Sequence, residues 1–310
     1  MSAIADQVAE YLRLRRAMGH KLATPGRYLA HFAEFMDNQH AGTVTTALAV
    51  AWAAAPDDGQ GKPAPSRPAR RLEAVRGFAR YLTAVDPGTE VPPTGVFPSG
   101  CHRPAPFIFT PSQIADLVAA AGRLPRFDRS VIYPVLFGLL AVTGMRVGEA
   151  LALTIGDTDL EQGMLTIRRG KSPNPRLVPL HPTATQALNG YSEWLSPTAN
   201  PAAPLFRGPD RSRPMEYWNA LYAFHQACAI AGLDQLKPKP LIHQLRHSFA
   251  VNTLLDWCRQ GTNIAAAMPT LSTYLGHTQP ADTYWYFTAV PELLAYAAGR
   301  LALTEKRRMP

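Results

Sequence analysis

A histidine and a tyrosine nine residues apart, His277 and Tyr286, flank a sharp break in the chain. Leu275-Gly276-His277 closes one predicted helix, because glycine suits the left-handed position past a helix end. Pro280 can open the next, where its missing N–H costs nothing. A helix-turn-helix corner of this kind can bring an imidazole and a phenol into one site. The plain alternative is that Tyr286, with Tyr284, Trp285 and Phe287, packs in a core. Two more charged groups stand out. Arg146 and Glu149 follow the Thr143-Gly144 break in the apolar run 130–153, where an unpaired charge is costly. A local ion pair at i, i+3 would satisfy them. His243, Arg246 and His247 lie near the start of another predicted helix, an end that favours anions.

With 310 residues the chain is long enough for two domains, each burying its own core. Lys and Arg number 31 against 23 Asp and Glu, a formal charge of +8. Residues 91–310 hold 20 basic and 14 acidic side chains, so +6 of the excess lies there. That balance suits a polyanionic partner. Cys101, Cys228 and Cys258 are scattered, odd in number and without a CxxC pair. They point to a reduced, cytoplasmic setting. Met1 to Glu10 has no basic region leading into an apolar run, and Arg or Asp interrupts every long apolar stretch. Neither a signal peptide nor a membrane span is expected.

Periodicity gives the elements that must position these groups. Ile4 to Arg16 reads as an amphipathic helix, a second starts at Pro25, Thr45 caps a third, and Ser66 to Leu82 forms a fourth. Together they predict a helical domain over residues 1–88. The fourth helix carries Arg67, Arg70, Arg71, Arg76 and Arg80 off its apolar face, as a solvated surface or as a stripe facing phosphates. Residues 89–106 are proline-rich and predict a stiff, extended linker. In the second domain, residues 107–310, Thr110-Pro111-Ser112-Gln113 is a helix start with a capping box. Residues 165–169 and 176–180 alternate like two strands of a hairpin, with Lys171 on or beside its turn. Helices over 182–195, 215–231 and 241–257 complete a mainly α fold with a small β-sheet.

Taken in order, the motifs are Thr143-Gly144-Met145-Arg146-Val147-Gly148-Glu149-Ala150-Leu151, then Gly170-Lys171 with Arg176-Leu177-Val178-Pro179-Leu180. His243-Gln244-Leu245-Arg246-His247 follows, and last Leu275-Gly276-His277 with Tyr286. The series closely resembles the tyrosine recombinase (phage integrase) family. The resemblance covers about Phe107 to Leu303, and the linker and N-terminal helices fit that family's four-helix, SAM-like core-binding domain. An HxxRH motif alone is common; the ordered set with its His-to-Tyr spacing is specific. The stretch from Thr283-Tyr284-Trp285-Tyr286 to Pro291-Glu292-Leu293-Leu294 is also similar to a transposon-borne branch.

The resemblance implies a metal-independent, cofactor-free enzyme that breaks and rejoins DNA. Arg146 and Arg246 would bind the scissile phosphate, each offering a rigid fork of donors that stays charged. Tyr286 would attack phosphorus, leaving a 3′-phosphotyrosyl link and a free 5′-hydroxyl. A phenol with a pKa of about 10 needs a base, and His243 is the family's candidate. Lys171 would protonate the leaving oxygen, His277 would hydrogen-bond the phosphate, and Glu149 would orient Arg146. His247 matches a frequent neighbour with a structural part. The prolines in Ser172-Pro173-Asn174-Pro175 depart from the family pattern and would stiffen the hairpin tip. The implied partner is double-stranded DNA clamped by both domains, with a homotetramer on the synapse and companion recombinases in some systems. Two other readings remain at this point: a type IB topoisomerase-like strand transferase, or an inert DNA-binding accessory protein. A zinc-type site built on His243 and His247 is disfavoured by Arg246 between them.

Overall fold

The computed structural model describes residues 3–56, 66–98, 105–168, 175–195, 200–208, 212–277 and 279–306, with side chains through 298. The chain divides into two units, Met1–Arg103 and Pro104–Pro310.

In the first unit each helix turns inward the face on which its apolar residues recur at helical spacing. α1 (Ala3–Ala17) buries Val8 and Leu12, α2 (Ala23–Asn38) buries Leu29, Phe32 and Met36, and α4 (Arg67–Leu82) buries Leu72, Val75, Phe78 and Leu82. α3 (Thr46–Ala54) starts where the Thr45 hydroxyl accepts from the Leu48 N–H, and its Trp52 meets Phe32 edge-on with ring centroids 5.1 Å apart. All four helices share one core.

Two expectations need correction here. Arg71 and Arg76 do not belong to an outward stripe; both are buried. Arg71 lies 4.0 Å over the Trp52 ring and donates to the Ala55 carbonyl at 2.8 Å. Arg76 donates to the carbonyls of Pro92 and Pro93 and pairs with Glu73. A guanidinium can be buried where backbone carbonyls satisfy its fork. Arg70 and Arg80 are exposed and Arg67 is half-buried. The same contacts alter the expected linker. Residues 89–98 lie against the first unit, since the Glu90 N–H donates to Val44, the Glu90 carboxylate accepts from Thr46, and Phe97 packs on the core.

In the second unit α5 (Pro111–Ala121) begins with the capping box between Thr110 and Gln113. α6 (Phe127–Thr143) is the central apolar helix, and its Phe137 packs edge-on against Phe224 of α9 (Tyr217–Ile230). α7 (Val147–Leu151) follows directly. β1 (Thr158–Asp159), β2 (Met164–Ile167) and β3 (Arg176–Pro179) form an antiparallel sheet in that order, with Leu165 opposite Val178. The central pair is the expected hairpin; its tip, including Lys171, lies outside the described residues. α8 (Pro182–Leu195) covers α6. A second core joins α10 (Gln244–Arg259), α11 (Ile264–Leu275), α12 (Ala281–Ala289) and the start of α13 (Pro291–Lys306), with Leu254, Leu271, Tyr286 and Leu293 at its centre. Cys258 is buried in it, and Cys228 is buried in the larger core. No helix among the described residues is long and apolar enough to cross a membrane.

Gly144 closes α6 in the left-handed region, at φ 59°. A Cβ there would run into the Phe249 ring and come within 3.2 Å of Leu275. Gly144→Ala should therefore lower stability by about 1–3 kcal/mol through strain and overpacking. Gly148, with open space where its Cβ would stand, is the control. Thermal melts should show Gly148→Ala near wild type.

Candidate active site

The site is built on the C-terminal end of α11. The last carbonyls of a helix lack partners within it and carry the negative end of its dipole. Here three guanidiniums meet them. Arg176 Nε donates to Tyr274 O at 2.9 Å, Arg246 Nη2 to Leu275 O at 2.7 Å, and Arg146 Nη2 to Gly276 O at 2.9 Å. Gly276 ends the helix at φ 67°, and its lack of a Cβ leaves room for the Arg176 guanidinium, which a Cβ there would meet at 2.8 Å. Arg246 also donates to Gly144 O at 2.8 Å, tying the end of α6 to the same place. These described bonds engage two of the five N–H donors of Arg246, so its fork keeps donors for an anion. Arg246 is 3% exposed. Burial, then the charge of Arg146, pushes its pKa down to about 10, and it stays cationic at neutral pH.

Glu149 answers this density of positive charge. Its carboxylate accepts from Arg146 Nη1 at 2.9 Å and the Arg146 backbone N–H at 2.9 Å, and from Arg176 at 2.7 and 3.2 Å. The local i, i+3 pair exists, and Arg176 makes it a triad. Burial raises the pKa of Glu149, but the hydrogen bonds and charges of Arg176 and Arg146 outweigh it and hold the carboxyl below the usual range. A group with a lowered folded pKa contributes stability above its ordinary value, 4.5 here, and loses it as pH falls through the folded value. Melting temperature should accordingly drop below about pH 4.5. The acid-induced drop should be smaller in Glu149→Gln, which lacks the titrating carboxyl.

His243 sits at the N-cap of α10, with part of its surface in solvent. The protein packed around it, then Arg246 and Arg146, push its pKa below the usual value and favour the neutral ring. Its ring meets that of His247 edge to face, centroids 4.8 Å apart. Tyr286 is 2% exposed, and its hydroxyl lies 2.8 Å from His247 Nδ1. His277 is half-buried and its Nδ1 lies 2.7 Å from the Thr283 hydroxyl. Arg146, Glu149, His243, Arg246, His277 and Tyr286 thus all belong to the α7, α10, α11 and α12 ends around one corner. Arg67, Arg70 and Arg80 lie in the other unit. Among the described residues no three His, Cys, Asp or Glu side chains gather as metal ligands.

Comparison with known proteins bears directly on this arrangement. The phage integrase family model matches residues 108–292. An integrase/recombinase of Sinorhizobium fredii, y4rB, is 37% identical over 311 residues, covering 97% of this chain and 98% of the relative. The chain belongs to the phage integrase family. A further relative, the tyrosine recombinase XerC of Roseiflexus sp., is 30% identical over 72% of this chain and 68% of its own length. Among solved structures, the Tn1549 transposon integrase in complex with transposon right-end DNA has a TM-score of 0.69 at 15% identity, covering 97% of this chain and 100% of that one. The protein is a tyrosine-type site-specific recombinase.

In this recombinase two side chains carry more than sequence reading gave them. Arg176 reads as a strand residue, yet it closes the Glu149 triad. His247 reads as a structural neighbour, yet it holds the Tyr286 hydroxyl. The i, i+4 spacing of His243 and His247 was the one signal for the latter, since it puts both rings on one helix face.

Proposed function

We propose that this recombinase cleaves and rejoins double-stranded DNA through a 3′-phosphotyrosyl intermediate at Tyr286, in integration, excision or transposition. Arg146 and Arg246 bind the scissile phosphate and stabilise the charge that develops on it. Glu149 orients Arg146, His277 hydrogen-bonds the phosphate, His243 is the base that the family resemblance implies, and Lys171 protonates the departing 5′-oxygen. Residues 1–88 act as a DNA-binding domain in which exposed Arg70 and Arg80, with Arg67, contact phosphates. The catalytic domain spans 107–310, the assembly on a synapse is a homotetramer acting alone or with companion recombinases, and the setting is the cytoplasm.

One observation carries the reading. Two guanidiniums, Arg146 and Arg246, are pinned to adjacent carbonyls of one helix end, and the Tyr286 hydroxyl lies 2.8 Å from Nδ1 of His247, the residue that follows Arg246. That arrangement supports reading the two arginines as a phosphate cradle and Tyr286 as the nucleophile. The test is covalent adduct formation on nicked suicide duplexes drawn from the DNA flanking the gene. Adducts should form, and should form equally in EDTA, because arginines do the charge stabilisation. A strict Mg²⁺ requirement would reject the arginine mechanism. Supercoil relaxation on arbitrary DNA without strand exchange would favour the topoisomerase-like alternative.

A further inference from the structure

We infer that His247 is the residue that takes the proton from Tyr286 as the phosphotyrosyl bond forms, with His243 standing one imidazole further on. The inference rests on the recombinase reading above.

Geometry comes first. The Tyr286 hydroxyl and His247 Nδ1 are 2.8 Å apart, within the reach a general base needs. The His247 ring is fixed by three others: His243 at 4.8 Å, Tyr286 at 5.6 Å and Trp285 at 5.7 Å between centroids. Tyr286 as a whole is 2% exposed, so bulk water has little access to it and a protein group is the natural acceptor for its proton. The imidazole already bonded to that oxygen is the one in place. His243 differs, because it is partly open to solvent and is crowded by Arg246 and Arg146. Those cations disfavour a second positive charge there and suit a neutral ring that hydrogen-bonds phosphate.

The step balances. With the Nε2–H tautomer, Nδ1 of His247 offers its lone pair to the phenol. As Tyr286 Oη bonds phosphorus and the phosphorus–O5′ bond breaks, the phenolic proton moves to Nδ1 and His247 becomes imidazolium. O5′ receives its proton from the acid assigned to Lys171. On religation a 5′-hydroxyl attacks phosphorus and returns its proton to Lys171. The Tyr286–phosphorus bond breaks, and His247 returns the proton to the phenol.

The test compares single-turnover adduct formation by wild type, His247→Ala, His247→Gln and His243→Ala on a suicide duplex, with DNA affinity measured in parallel. His247→Ala should slow cleavage about 10²-fold or more at unchanged affinity. Added imidazole should restore part of that rate. Installing 3,5-difluorotyrosine at position 286, a more acidic phenol, should shrink the His247→Ala defect. His247→Gln keeps a polar contact to the phenol but cannot take the proton, and should stay slow. If Gln restores the rate, or if neither imidazole nor the acidic phenol helps, His247 only positions the tyrosine and the inference fails. Should His247→Ala lose DNA binding, His247→Gln with the fluorinated tyrosine decides by the same criteria. Absence of adducts with wild type would instead defeat the recombinase reading itself.

Discussion

Tyr286→Phe should form no covalent protein–DNA adduct on a suicide duplex, while binding that duplex with near wild-type affinity. Tyr284→Phe should still form the adduct. Both phenols lie on α12, but two positions are about 200° apart around a helix, so they face nearly opposite ways. Tyr284 is 49% exposed, whereas Tyr286 is 2% exposed with its hydroxyl on His247. Removing the Tyr286 hydroxyl costs its part-buried hydrogen bond to His247, about 1–3 kcal/mol counting the partner left behind. A loss of that size leaves the ring packed and the fold intact. Denaturing gels resolve adduct from free protein, and filter binding reports affinity. Adducts that persist in Tyr286→Phe and vanish in Tyr284→Phe would reverse the assignment.

The second large effect is expected at Arg246. Arg246→Lys keeps the charge and should still lower the cleavage rate by about 10²–10³. The guanidinium fork spans Gly144 O and Leu275 O at 2.8 and 2.7 Å and keeps donors for the phosphate. An ammonium is a point charge with no planar fork, and it cannot reach both carbonyls and an anion together. At least one carbonyl loses its partner, so a stability loss of about 1–3 kcal/mol should accompany the rate effect. Arg259→Lys is the matched control. Arg259 is largely exposed and pairs with Asp256 one helical turn away, a kind of surface pair worth about 0–1 kcal/mol. Single-turnover cleavage and thermal melts read both effects. An Arg246→Lys protein that cleaves at the wild-type rate would remove Arg246 from the phosphate cradle.

Features of this protein that arise within a few residues were legible in its sequence. The Thr110–Gln113 capping box, the Thr45 cap, the left-handed Gly276, the Arg146–Glu149 pair and the β2–β3 hairpin all follow from residues no more than fifteen positions apart. The order and spacing of the charged motifs also pointed to the family. Tertiary structure alone decided the partners. Arg176 reaches Glu149 across 27 residues, His247 reaches Tyr286 across 39, and Arg246 reaches Gly144 O across 102. It also overruled the reading of α4, where Arg71 and Arg76 turn inward to the Ala55, Pro92 and Pro93 carbonyls. Periodicity tells which face of a helix a charge occupies, but a charge can be buried wherever a distant segment brings it carbonyls or a carboxylate. Which segment arrives there is set by packing between elements, and no local pattern encodes it.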